Sequence, residues 1–61
     1  MIKFYDTVNE VDVYLKLDKI ISIEIDRYGN ARIYTTNGKI YRVFKQFAEE
    51  LIKKIKGEQN E

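Results

Sequence analysis

The chain has no cysteine and no histidine. Without thiols no disulfide can staple a small fold, and without thiol or imidazole the ordinary ligands of a structural zinc site are missing. The same absences remove the thiol nucleophile and the commonest general base of enzyme active sites, and Ser22 is the only serine. Charge of one sign is lacking too. Lys plus Arg is 11 and Asp plus Glu is 10 in 61 residues, so no strong field steers the molecule onto a polyanion. No apolar run approaches the ~20 residues of a membrane span, and the opening "MIKFYDTV" has no apolar signal-peptide core. A soluble, unprocessed, cytoplasmic protein is the expectation. No enzymatic activity, cofactor or metal is expected either. Carboxylate pairs such as Glu49–Glu50 and Glu24–Asp26 do not fall among pocket-forming loops, and Asp6, Asp12, Asp18 and Asp26 lack calcium-loop spacing.

What the chain does have is alternation followed by a helical stripe. In "FKQFAEELIKKIKG", Phe44, Phe47, Ala48, Leu51, Ile52 and Ile55 recur at helical spacing, while Lys45, Gln46, Glu49, Glu50, Lys53 and Lys54 fill the other side. Glu49–Lys53 and Glu50–Lys54 are favourable i,i+4 pairs, and Lys53, Lys54 and Lys56 suit the negative end of the helix dipole. Gly57 is a natural left-handed stop. No capping residue precedes Phe44, so the last strand is expected to run almost directly into the helix. A single domain over 1–56 with a flexible tail over 57–61 follows. A domain this short hides only roughly 60% of the surface its unfolded chain exposes, and with staples excluded a partner subunit is the remaining source of stability.

Upstream, Val11, Val13, Leu15 and Leu17 alternate with polar residues or Tyr14, as do Ile21, Ile23 and Ile25 with Ser22 and Glu24. In the first strand Ile2, Phe4 and Val8 share a parity. A two-residue turn at Asn9–Glu10 sets them opposite Leu17, Leu15 and Val11. Asp6 interrupts that stripe, which places it near solvent or at a bulge. The Asp18–Lys19 link cannot be so tight, because Leu15 would then face Ser22, and a longer corner through Ile20 is required.

The "RIYTTNGKIYRV" segment admits two registers. A two-residue type I′ turn at Asn37–Gly38 sets Ile33 beside Arg42 and mixes core with charge. A three-residue loop with Gly38 left-handed in a G1 bulge pairs Thr35 with Lys39, Ile33 with Tyr41 and Ala31 with Val43. The bulged turn is preferred, since a one-residue slip moves a whole buried face to solvent. Tyr41 then joins the core. The fold class is α+β: an antiparallel β-meander of about five strands with one C-terminal amphipathic helix on one face. "DRYGN" is read as a polar loop turned by Gly29.

Tyr5, Tyr14, Tyr34 and Ile40 have the parity that points away from the helix, together with Lys3, Arg32 and Arg42 but also Asp12 and Glu24. Such residues can simply cover the open side of a sheet. They are also the types enriched at interface hot spots. Tyr5, Tyr14, Arg32, Tyr34, Ile40 and Arg42 are therefore the candidate interface, for a second copy (a dimer is favoured) or for another protein. The alternative is a nucleic-acid-binding module in which the aromatics stack bases, and Asp12 and Glu24 oppose it.

Three stretches, "MIKF" at Met1–Phe4, "IISIE" at Ile20–Glu24 and "IYTTNGKIYRV" at Ile33–Val43, resemble the small FlbD-type flagellar (swarming-motility) proteins. The resemblance implies a non-enzymatic bacterial accessory protein that acts through protein contacts, and it brings no functional residues with it. The hairpin and helix also resemble the end of LytTR-type DNA-binding domains. Small phage-encoded proteins share this size and composition.

Overall fold

The computed structural model describes residues 1–59. In chain order these form β1 (Ile2–Asp6), β2 (Val11–Leu15), a short 3-10 turn (Leu17–Lys19), β3 (Ile20–Ile25), β4 (Ala31–Thr35), β5 (Ile40–Val43) and helix α1 (Lys45–Gln59). The class is α+β, and every strand pairing is antiparallel. The meander breaks between β2 and β3, giving a β1–β2 ladder and a β3–β4–β5 sheet. The two meet where β1 runs beside β5 and the Thr7 N–H donates to the Arg42 carbonyl (2.9 Å).

The helix lies over β3 and β4. Beneath it Ile33, Ala48, Ala31 and Leu51 are buried, joined by Phe4, Ile2 and Val43 from the β1–β5 side. Phe4 meets Tyr41 edge-on at 5.5 Å between ring centroids and Phe47 at 5.6 Å. The β4–β5 register is the bulged one: Ala31 faces Val43, Ile33 faces Tyr41, and Gly38 is left-handed at φ 83°. Tyr41 thus packs on the core side because the other register would have buried Arg42.

Each hairpin is closed by a polar side chain at or just past the end of a strand. The Asp6 carboxylate accepts from the N–H groups of Val8 (3.0 Å) and Asn9 (3.3 Å) and from Asn9 Nδ2 (2.8 Å). The Asp26 carboxylate accepts from the N–H groups of Tyr28 and Asn30, both at 2.9 Å, around a left-handed Gly29. Thr35 Oγ1 donates to the Lys39 carbonyl (2.9 Å) and also meets Asn37 Oδ1. These are Asx- and ST-type turns, in which a short polar side chain satisfies backbone donors that the turn leaves unpaired.

Several expectations are corrected. The first hairpin pairs Ile2 with Leu15, Phe4 with Val13 and Asp6 with Val11, so its turn spans Thr7–Glu10 rather than Asn9–Glu10 alone. Asp6 is not at a solvent-facing end but 1% exposed, folded into that turn, which leaves Val8 and Val11 outside the core. Ile21 is also outside, at 66% exposure, because a bulge between Ile20 and Ser22 makes it the extra residue and turns Ile20 inward instead. Phe44 precedes the helix and faces solvent. Gly57 does not stop the helix: it is helical, without a left-handed φ, and the helix is described to Gln59. Residues 60–61 of the expected tail lie outside the described residues.

Candidate protein-contact surface

The side of the sheets away from the helix is built from rows of cross-strand neighbours. Glu24, Arg32 and Arg42 form one row across β3, β4 and β5, and Ser22, Tyr34 and Ile40 form the next. On the other ladder Lys3 faces Tyr14 and Tyr5 faces Asp12. The Thr7–Arg42 bond brings the two ladders edge to edge, and across this seam Tyr5 stacks on Phe44 with centroids 6.5 Å apart and planes 12° apart.

The six residues singled out by parity fall into two groups. Arg32 and Tyr34 are half-buried and already occupied. Arg32 bridges Glu24 (3.3 Å) and Asp26 (3.4 Å), and the Tyr34 hydroxyl donates to the same Glu24 oxygen (3.0 Å). Tyr34 and Asp26, with Glu24 behind them, raise the Arg32 guanidinium above its ordinary value, and its two ion pairs leave less of its charge for an outside partner. The Asn30 N–H, aided by Tyr28 and Arg32, holds the Asp26 carboxyl below the usual carboxylate range despite some desolvation.

Tyr5, Tyr14, Ile40 and Arg42 stand open instead. Tyr14 is 64% exposed, with Lys3 Nζ 5.8 Å from its ring centre. Arg42 has no carboxylate within ion-pair distance among the described residues. Phe44, at 63% exposure, belongs to this surface although its spacing relative to the helix suggested the core. Its signal was in the strand: Tyr41 and Val43 point inward, so extending β5 by one residue turns Phe44 outward with Arg42. The open group is an aromatic and aliphatic surface with one unneutralised guanidinium.

Elsewhere, a cleft of about 680 Å³ runs between β3 and the C-terminal half of α1, walled by Ile20, Ile21, Ile23, Ile52 and Ile55. Among the described residues, Asp18 and Lys56 are its charged lining residues. Among the described residues, no cluster of three or more His, Cys, Asp or Glu side chains is placed to hold a metal ion, and no helix is long and apolar enough to cross a membrane. Compared with known proteins, the chain matches no family model, no curated protein and no solved structure.

Proposed function

We propose that this chain is a small non-enzymatic binding or regulatory module that acts through protein–protein contacts and self-associates, with Tyr5, Tyr14, Ile40, Arg42 and Phe44 as its outward contact surface. The observation that carries the reading is the Tyr5–Phe44 stack, exposed beside Arg42, which has no ion-pair partner among the described residues. Two rigid rings lose little conformational entropy on binding, and a guanidinium without an internal partner keeps its donors for one outside. The resemblance to FlbD-type accessory proteins points the same way.

A nucleic-acid reading draws on the same stacked rings and on Lys3 beside Tyr14. The arrangement of charge weighs against it. Arg32 is neutralised by Glu24 and Asp26, Asp12 lies on the same face, and the formal net charge is only +1.

The test is a comparison of wild type with Tyr5→Asp/Phe44→Asp, both surface changes. Affinity capture from the source cells should recover a defined partner with wild type and lose it with the variant. Equal recovery by both would remove this surface from the reading. Oligonucleotide anisotropy at low salt tests the other reading, which requires binding that weakens when Arg42 becomes Ala.

A further inference from the structure

The outward surface leaves another part of the molecule unexplained. β3 is the last strand of its sheet. The Asp26 N–H bonds to the Asn30 carbonyl (2.9 Å), so by the alternation of an antiparallel ladder Ser22 and Glu24 direct their backbone groups to β4 while Ile23 and Ile25 direct theirs away. Among the described residues, no hydrogen bond from another residue reaches the outward N–H and C=O groups of Ile23 and Ile25. This edge carries little of the usual protection. It contains no proline and no lysine, and Glu24 is its one charge. The bulge sits at its start and leaves Ser22–Ile25 regular.

Beside the open edge the core is also incomplete. Ile33 in β4 is fully buried, whereas Ile23 in β3 and Ile52 and Ile55 in α1 are only half-buried along the cleft. The site therefore lacks two things: a strand to pair with β3 and an apolar helix flank to lie against Ile52 and Ile55.

We infer that a second copy of this chain occupies the cleft, joining β3 to β3 antiparallel about a two-fold axis at Ile23 to make one continuous six-stranded sheet with both helices on the same face. The inference rests on the self-association reading and gives that contact its place, leaving the Tyr5–Phe44 surface free.

Charge narrows the register. Centred on Ile23, the pairing sets each Ser22 opposite the second copy's Glu24 and each Ile21 opposite its Ile25. Centring on Glu24 would oppose two Glu24 carboxylates, and centring on Ile25 would oppose Glu24 to Asp26, both repulsive. The helices agree with this symmetry. Glu49, Ile52, Lys53 and Lys56 share one flank of α1 beside the cleft. Two such flanks laid antiparallel bring each Glu49 toward the other copy's Lys53 and Lys56, with Ile52 between them. An extended peptide would supply the strand alone, whereas a second copy supplies strand, apolar flank and matching charge.

The test uses Ser22, an exposed residue whose side chain faces away from the core. Sedimentation over a concentration series should give twice the 7.3 kDa chain mass for wild type. Ser22→Glu should weaken the dimer on the order of tenfold and Ser22→Lys should tighten it by a similar factor, because each change acts on two symmetric cross-strand pairs. Far-UV circular dichroism should be unchanged in both. The Ile23 and Ile25 amides should exchange more slowly as dimer forms. A dimer indifferent to both Ser22 variants, or shifted the same way by both, would overturn the β3 assignment while leaving self-association standing, as would Ile23 and Ile25 amides that gain no protection. A wild-type mass of one chain at millimolar concentration would overturn self-association itself, and this inference with it.

Discussion

Tyr5 and Phe44 lie face to face, 6.5 Å between centroids and 12° between planes, one from each of the two strand ladders. The pair forms where Thr7 bonds to Arg42 and holds β1 beside β5, which brings the outward positions Tyr5 and Phe44 side by side.

This arrangement separates two phenylalanines that helical spacing alone would treat alike. Phe47 packs 5.6 Å from Phe4 and is half-buried, whereas Phe44 is solvent-facing. Phe47→Ala is expected to cost about 3 kcal/mol, near the low end for a core phenylalanine because its burial is partial. Phe44→Ala is expected to cost under about 1 kcal/mol, the scale of one exposed aromatic pair. Urea denaturation of the two variants checks the difference. Equal losses would show that Phe44 is not on the surface.

Acid stability should depend on Asp6. Burial pushes its carboxyl pKa up, but the Asn9 side chain and the Val8 and Asn9 N–H groups outweigh that and leave it below the usual range. A carboxylate with a depressed folded-state pKa stabilises fully above its unfolded value of ~3.9, and the contribution is lost as pH falls through the folded value. Asp26 is shifted in the same direction and acts with the same sign. The wild-type melting temperature should therefore fall as pH drops below about 4. Asp6→Asn should be less stable at neutral pH and show a shallower acid limb. A parallel acid limb would rule out Asp6 as a source of the pH dependence.

The turn that Asp6 closes contains a second feature. Glu10 has φ 58°, the left-handed region that side chains with a Cβ adopt at a cost. Its N–H donates to the Asp6 carbonyl at 2.8 Å, so the turn demands this conformation. Glu10→Gly is expected to stabilise the protein by about 1 kcal/mol, read as a higher melting temperature. A lower one would place Glu10 in a different backbone state.

What the sequence disclosed followed from one buried face. Ile33 opposite Tyr41 was legible because the competing register would have buried Arg42. The features that stayed hidden were those for which parity has two solutions or does not apply. Ile20 and Ile21 are adjacent and equally apolar, so either could point inward until a bulge decides between them. Asp6 occupies an inward position, which looked incompatible with a carboxylate. The signal that reconciles them is local: Asp6 followed three residues later by Asn9 is an Asx-turn pattern, in which the charge is satisfied by the turn itself. Among the surface residues, parity gave the outward direction of Arg32 and Tyr34 correctly. Their attachment to Glu24 required the β3–β4 register, which depends on that same bulge.

Gly38 and Gly57 offer the sharpest contrast between the expected helix end and the observed one. Gly38 is left-handed at φ 83° with open space where a Cβ would stand, so Gly38→Ala pays only for backbone strain, about 1–2 kcal/mol. Gly57 is helical, lacks a left-handed φ and likewise has open space around a new Cβ. Gly57→Ala should therefore stabilise by about 0.5–1 kcal/mol, through higher helix propensity and a less flexible unfolded chain. Had Gly57 served as the left-handed stop that its place after Lys56 suggested, the same substitution would destabilise. The sign of the change in melting temperature decides whether the helix continues past Gly57, independently of any partner that binds the rest of the molecule.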